Sequence, residues 1–241
     1  SVERMASITA ALRLGMTQKG VDAPAQDEIV KQIGSFALYG FPESHAASFA
    51  LLAYASAYIR AHHPACFLTA MLNHWPLGFY SPATLVQDSA RHGVRTLPID
   101  VQQSDWLCHV TDAKEVRLGL RYVDGLRREA GERIAAESPY ESLGDLAHRA
   151  GLHRDELEKL ASVGACASLG LGRREALWQV AALQGGLLSG ATPDSPSPLA
   201  EMTGFEETVA DYRGTGITTG AHLMAHFRER LRARGVSSAA D

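Results

Sequence analysis

The chain has 241 residues, of which 46% are hydrophobic and 21% charged, and its formal net charge is −4. This composition is ordinary for a globular protein and excludes one that grips nucleic acid through a broad basic field, because such proteins are usually strongly positive. No stretch approaches the roughly 18 uninterrupted apolar residues that a membrane helix needs, so the sequence predicts no membrane partner.

The three cysteines, Cys66, Cys108 and Cys166, are odd in number and far apart. They suggest neither a disulfide framework nor a Cys-x-x-Cys metal knuckle, so we expect small reduced core residues in a cytoplasmic protein. The chain begins without Met and lacks the basic-then-apolar order of a secretory signal, so it is expected to start within a longer protein or after processing.

The first quarter of the chain is predicted to be helical. Apolar residues at helical spacing indicate helices over about 3–16 and 24–37. A turn set by glycine and proline follows, and Ser44 is expected to cap an apolar helix over about 46–62.

Proline then marks two further helix starts, with helices predicted over 64–72 and 82–91. The pattern changes over 94–101 and 116–120, which have the composition of short strands or extended turns. From Glu129 onward the pattern is again helical, in short pieces separated by glycines. The fold class predicted is therefore mainly α with a few short strands.

The densest motif lies between residues 39 and 72. It reads Gly-Phe-Pro-Glu-Ser-His-Ala-Ala-Ser-Phe-Ala over 40–50 and Tyr-Ala-Ser-Ala-Tyr-Ile-Arg-Ala-His-His-Pro over 54–64. These residues resemble the fingers signature of C-family (DnaE-type) bacterial DNA polymerases. Pro42-Glu43 resembles the error-prone (ImuC-type) branch, since replicative relatives commonly have Asn-Lys there.

The resemblance implies that this part of the fingers positions nucleotide and template, with Ser44, His45 and Arg60 as candidate residues. A helix beginning at Ser44 would expose unpaired amides and the positive end of its dipole, which favour a phosphate. His45 would then donate to an incoming triphosphate or to the template backbone, and Arg60 would extend the cationic edge. The alternative is that Ser44 only caps its helix and His45 only packs beside Phe41.

Residues 116–134 resemble the first helix-hairpin-helix motif of the same polymerases. In that motif a tight glycine-containing hairpin points backbone amides at a DNA phosphate without reading sequence. The candidate DNA-binding residues are Gly125, Leu126, Arg127 and Arg128. Many such hairpins read Gly-x-Gly, whereas Arg127 stands at the position of the second glycine, so the two arginines are expected to contact phosphate directly.

Residues 157–177 resemble the second half of the tandem unit. One helix is expected to end at a glycine, and the next to open with two arginines near its start. The candidate DNA-binding residues are Gly164, Gly170, Gly172, Arg173 and Arg174. Plain helical packing with glycine stops is the alternative for both motifs.

The resemblance implies four segments. They are the end of the fingers over 1–112, a tandem helix-hairpin-helix DNA-binding domain over 113–184, a flexible linker over 185–198, and a helical segment over 199–241. In the family this last segment precedes an oligonucleotide-binding fold, and no part of the present sequence is expected to form that fold.

The function implied is that of part of a DNA-directed DNA polymerase acting in translesion synthesis and damage-induced mutagenesis. The expected partners are a primer–template duplex bound without sequence preference, deoxynucleoside triphosphate, a sliding clamp and accessory mutagenesis factors. Such polymerases use Mg²⁺ held by palm carboxylates. No motif here resembles those carboxylates, and Asp100 and Asp105 are expected to be caps or solvated charges, so we predict neither a catalytic residue nor a metal ligand in this chain.

Three alternatives remain open at this point. The chain could be a stand-alone, non-catalytic DNA-binding module, or it could be a fragment of the replicative DNA polymerase III alpha subunit. It could also be a protein-interaction scaffold whose neutral helices bind a partner and not DNA.

Overall fold

The computed structural model describes residues 2–38, 42–183 and 197–238. The chain divides into two compact units, residues 1–57 and 58–241. The predicted turn around Gly40 and most of the predicted linker, 185–196, lie outside the described residues.

The first unit contains a helical hairpin, α1 (Val2–Gln18) and α2 (Ala23–Leu38), as the sequence predicted. Asp22 caps α2, because its Oδ1 accepts a hydrogen bond from the Ala25 N–H at 2.9 Å. The carboxamide of Gln26 donates to the backbone oxygen of Val21 at 2.8 Å, which fixes the corner between the helices.

Helix α3 (Pro42–His62) begins earlier than the sequence predicted. Proline suits the first position of a helix because its missing N–H would have no partner there. Ser44 therefore lies inside the first turn, and the prediction that it is the N-cap is wrong. Every described side chain of α3 from His45 onward is exposed.

The second unit opens with helices α4 (Pro64–Asn73) and α5 (Pro82–Arg91), at the predicted positions. A three-stranded sheet follows, made of β1 (Thr96–Leu97), β2 (His109–Val110) and β3 (Val116–Arg117). Strand β3 lies in the centre, parallel to β1 and antiparallel to β2. Strand β2 was not predicted, because two residues are too few to show an alternating pattern.

The rest of the second unit is helical. Its helices are α6 (Arg128–Glu137), α7 (Leu143–Arg149), α8 (Arg154–Ser162), α9 (Arg173–Leu183), α10 (Gly204–Thr215) and α11 (Arg228–Arg232). Short 3₁₀ turns lie at Leu120–Tyr122, Ala167–Leu169 and Leu223–Phe227. The predicted fold class, mainly α with a few short strands, is confirmed. Among the described residues no helix is both long and apolar enough to cross a membrane.

Two of the three cysteines lie in the core of the second unit. Burial raises the pKa of the Cys108 thiol to about 11 and that of Cys166 to about 12. Cys66 is exposed, so the prediction that it is a core residue is wrong. The reason is helical periodicity: Leu68 and Leu72 lie on the buried face of α4, and Cys66 is off that face.

The end of α4 is fixed by residues from later in the chain. The Asn73 carboxamide exchanges two hydrogen bonds, both 2.8 Å, with the backbone of Cys108. Arg121 donates to the backbone oxygen of Asn73 at 2.5 Å, and the Tyr122 hydroxyl donates to that of Leu72 at 2.8 Å. The sheet and these contacts cross position 112, so the predicted segments 1–112 and 113–184 share one structural unit from residue 58 onward.

Candidate nucleic-acid interface

The first hairpin, residues 123–127, joins a 3₁₀ turn to α6. Gly125 has φ of +72°, a conformation that glycine adopts without strain. A Cβ at this position would overlap the Nζ of Lys159, so glycine is also needed for space. Leu126 is buried and donates its N–H to the oxygen of Val123 at 3.2 Å. The hairpin is thus a tight turn anchored in the core by Leu126.

Arg127, predicted to contact phosphate, is bound to Glu156 at the start of α8. Its Nε donates to Oε1 at 2.9 Å, its Nη2 donates to Oε2 at 2.8 Å, and its backbone N–H donates to Oε1 at 3.1 Å. The side chain of Glu156 is only 2% exposed. Arg127 therefore joins the first hairpin to the start of α8 through the Nε–Nη2 edge of its guanidinium, although its side chain is 40% exposed.

The protonation of Glu156 reflects this arrangement. Burial by itself raises the pKa of a carboxyl group. The Arg127 guanidinium, together with the backbone N–H groups of His153 and Arg127, outweighs burial and lowers the pKa of Glu156 to about 2. Glu156 is therefore ionised at neutral pH, and its charge is satisfied inside the protein.

Arg128 is the more exposed of the two adjacent arginines in the first motif. It is the first residue of α6, and its side chain is 69% exposed, with Nε 2.8 Å from Glu132 Oε1 one turn later. The first intrahelical hydrogen bond of α6 runs from the Gly131 N–H to the Arg127 oxygen. The amides of Arg128 and Glu129 precede it, so they point out of the helix end where an anion is favoured.

Lys159 is a residue that the sequence analysis missed. Its ammonium group lies against Gly125 of the first hairpin, although Lys159 belongs to α8 of the second motif. Its pairing with Asp155 is loose, at 3.7 Å. In the sequence this is an ordinary i, i+4 pair on an exposed helix face, so nothing marked it as a neighbour of the hairpin.

The second hairpin follows α8 and carries Gly164 with φ of +78°. Arg173, the first residue of α9, lies across it: a Cβ at Gly164 would approach Arg173 Nε to 2.9 Å. Arg173 donates to the oxygen of Ser162 at 3.1 Å and to Asp211 Oδ1 at 2.7 Å, and its side chain is only 15% exposed. Arg173 thus joins the end of α8 to α10.

Arg174 is engaged in a similar way. It donates to the oxygen of Ala200 at 2.7 Å and to Glu206 Oε1 at 2.8 Å. A Cβ at Gly172 would come within 2.7 Å of a Glu201 carboxylate oxygen, so this glycine also makes room for the segment before α10. Gly170, with φ of +77°, faces open space.

The candidate residues of the fingers lie in different units. His45, in the first unit, is exposed, and its ring stacks on Phe49 with the centroids 4.5 Å apart. The side chain of Ser44 lies outside the described residues. Arg60, in the second unit, is 53% exposed and is paired with Asp88 at 2.7 Å.

The described residues do not fit a Mg²⁺ site, since no group of three or more His, Cys, Asp or Glu among them could hold a metal ion. Asp100 is buried, and its carboxylate accepts hydrogen bonds from the Gln102 N–H at 2.8 Å and the Ser168 hydroxyl at 2.7 Å. Asp105 is 3.0 Å from the His109 imidazole. Both aspartates thus have partners within the protein.

Comparison with known proteins identifies the motif and the relatives. A model of the helix-hairpin-helix motif matches residues 93–176. The chain is 46% identical over 239 residues to the error-prone DNA polymerase of Azoarcus sp. (strain BH72), covering 93% of this chain and 22% of the relative. It is 45% identical to the error-prone DNA polymerase of Dechloromonas aromatica, and the match covers 95% of this chain and 23% of the relative. It is 46% identical to that of Burkholderia pseudomallei, and the match covers 94% of this chain and 23% of the relative. The chain thus spans about a fifth of the length of these relatives.

Proposed function

We propose that this chain, which is homologous over nearly its whole length to a segment of the error-prone DNA polymerases, binds the backbone of duplex DNA without reading its sequence. In this proposal it belongs to a polymerase of translesion synthesis and damage-induced mutagenesis. The observation that carries the proposal is the first hairpin, where Gly125, Arg128 and Lys159 lie together within a matched helix-hairpin-helix motif.

The chemistry of this hairpin suits a phosphate. The exposed amides at the start of α6 can donate to phosphate oxygens, and the positive end of the helix dipole adds to the attraction. Arg128 and Lys159 supply positive charge from two different helices, and each is paired with a carboxylate of its own helix, Glu132 at 2.8 Å and Asp155 at 3.7 Å, in exposed pairs that hold the charge weakly. None of these groups reads a base, so binding is expected to be independent of sequence.

The negative net charge of the chain is compatible with such a site. Arg127, Arg173 and Arg174 are all engaged by carboxylates of the chain itself, so they add little to the field outside the protein. The electrostatic attraction for DNA is then weak and confined to the first hairpin. We expect this chain alone to release few counterions and to bind DNA weakly.

The proposal is tested by fluorescence anisotropy with a labelled primer–template duplex and the matching single strand over a salt series. We expect the duplex to bind more tightly, with log affinity falling against log salt with a slope of about −2 to −3, since about 0.9 counterion is released per phosphate contacted. Equal affinity for duplex and single strand, or no binding at low salt, would contradict a hairpin that grips duplex DNA.

A matched pair of variants assigns the contact to the hairpin. Arg128 and Arg154 are each the first residue of a helix, exposed, and paired with a glutamate one turn later. Arg128→Gln is expected to weaken binding and to reduce the salt slope by about 1, whereas Arg154→Gln should leave both nearly unchanged. If the two variants behave alike, general surface charge accounts for the binding.

Nucleotide and template positioning by Ser44, His45 and Arg60 is also part of the proposal, supported by the exposure of His45. In the longer polymerase that carries this segment, His45→Ala should raise the KM for deoxynucleoside triphosphate more than it lowers kcat. A variant with unchanged KM would remove His45 from nucleotide binding.

The remaining expectations concern the whole polymerase: Mg²⁺ held by carboxylates elsewhere, a sliding clamp, accessory mutagenesis factors and a cytoplasmic location. The shared name of the relatives reported above favours the error-prone branch over the replicative alternative. A protein-interaction scaffold predicts instead that reversing the charge of Arg128 leaves partner binding intact and that DNA does not bind.

A further inference from the structure

A cavity of about 470 Å³ lies beside the first hairpin, between that hairpin and helices α8 and α10. Its volume lies within the range of roughly 300–1,000 Å³ that is usual for small-ligand sites. Asp124 of the hairpin contributes to the lining, and its N–H donates to the oxygen of Gly214 at 2.8 Å. The cavity is therefore continuous with the candidate phosphate site.

One wall of the cavity is apolar and the rim is basic. The wall includes Met202, Phe205 and Val209, and the Phe205 ring is 39% exposed. Lys159 and Arg213 contribute the positive charge, and Arg213 makes no ion pair within the part of the chain that the structure describes. The other charged pair in the lining, Arg174 with Glu206, is neutralised internally at 2.8 Å.

We propose that this cavity receives one unpaired nucleotide at the end of a duplex whose backbone is held by the first hairpin. This inference rests on the proposed function. The base would lie against Phe205 and the apolar wall, and its phosphate would face Lys159 and Arg213. Asp124 and the paired Glu206 are the acidic residues of the lining, and the carboxylate of Asp124 can accept hydrogen bonds from the exocyclic amine of a base.

Lys159 connects the two sites physically. Its ammonium group lies against Gly125 and also lines the cavity. A strand with one phosphate at the hairpin can therefore present its next phosphate to the same cation, which brings the following base to the cavity. Stacking on an aromatic ring tolerates any base, which matches a DNA contact that does not read sequence.

The experiment compares three DNA ligands on the 241-residue chain by fluorescence anisotropy: a blunt duplex, the same duplex with a short single-stranded tail, and that duplex with an abasic tail. The abasic tail keeps the phosphates and removes the bases. We expect the natural tail to tighten binding at least about fivefold over the blunt duplex, the size of one base–aromatic stacking contact, and the abasic tail to lose most of that gain.

Two variants place the effect in the cavity. Phe205→Leu and Arg213→Gln should each reduce the advantage of the tail to about twofold or less while blunt-duplex affinity stays unchanged. Phe79→Leu and Arg91→Gln remove an exposed aromatic ring and an exposed charge elsewhere and should keep the full advantage. Phe205 also packs against Phe227, so the affinity of Phe205→Leu is interpreted only if the urea midpoint of this variant is unchanged. Arg213 is exposed, and Arg213→Gln provides an independent second measurement.

The outcomes separate the two proposals. Blunt binding without a tail advantage overturns the cavity and leaves the hairpin proposal in place. A tail advantage that persists with the abasic tail, or in both cavity variants, shows that phosphate attraction elsewhere causes it and also overturns the cavity. Failure of both blunt and tailed DNA to bind overturns the proposed function together with this inference.

Discussion

The two hairpin motifs begin alike in sequence and use their arginines differently. Each places a pair of arginines at the start of a helix that follows a glycine turn, at Arg127-Arg128 and at Arg173-Arg174. In the first motif Arg127 binds the buried Glu156, and Arg128, which is 69% exposed, pairs with Glu132 of its own helix. In the second motif both are engaged, with Asp211 and Glu206.

The difference shows that the burial of the acidic partner determines whether an arginine is held within the protein or stays exposed. A buried carboxylate must be paired, so it fixes the nearest guanidinium regardless of how that arginine appears in a motif. Helix α10 supplies Asp211, which is 15% exposed, and Glu206, which is 44% exposed, to the second motif, whereas the ion pair of Arg128 is with Glu132 of its own helix, which is 49% exposed. The first motif is therefore the better candidate for DNA, and the second is the element that holds α10 in place.

The largest effect is expected from Glu156→Gln, which removes the charge that joins the two motifs. Arg127, which is 40% exposed, would lose its ionic partner, and a neutral amide would take the place of the carboxylate at a site that is only 2% exposed. We expect the free energy of unfolding to fall by about 3 kcal/mol. Urea unfolding followed by circular dichroism measures this. Glu158→Gln, which removes an exposed partner of Arg154, is the control and should change little.

The pH dependence of stability sharpens the same point. The pKa of Glu156 in the folded protein is about 2, below its ordinary value of 4.5. The unfolded chain therefore binds this proton first, so the stabilisation is complete above pH 4.5 and is lost as the pH falls towards 2. The stability difference between the wild type and Glu156→Gln should shrink over that window. A constant difference would mean that Glu156 does not titrate in this range.

A smaller loss is expected from Arg173→Gln, because both ends of its ion pair with Asp211 are 15% exposed. We expect about 2 kcal/mol less stability, and a smaller loss for the more exposed pair removed by Arg174→Gln. Neither change should alter DNA affinity per folded molecule, measured well below the urea midpoint. A loss of DNA affinity in either variant would mean that the second motif also contacts DNA.

The glycine turns give small stability effects that separate conformational strain from contact. Gly125→Ala and Gly170→Ala both place a side chain at positive φ, and each should cost about 1 kcal/mol. Only at position 125 would the new Cβ also displace Lys159. DNA affinity should therefore fall in Gly125→Ala and remain in Gly170→Ala. Equal affinities would exclude a contact at the first hairpin.

Much of this protein follows from local sequence. Proline at Pro64 and Pro82 begins two helices where predicted, because proline fits the first helical position and disfavours the residue before it in a helix. Glycine at Gly125 and Gly164 marks the two hairpins because each has a positive φ. The family resemblance over the fingers signature and the hairpins was also available from sequence alone and is confirmed by the relatives.

Other features depended on tertiary contacts that have no local signature. The pairing of Arg127 with Glu156, the approach of Lys159 to Gly125 and the binding of Arg173 by Asp211 each join residues that are distant in sequence. Helical periodicity shows which face of a helix is apolar, but it does not show which polar side chain of another helix meets that face. Sequence therefore located the two motifs, and only the packing of α8 and α10 decided which cations remain exposed at the surface.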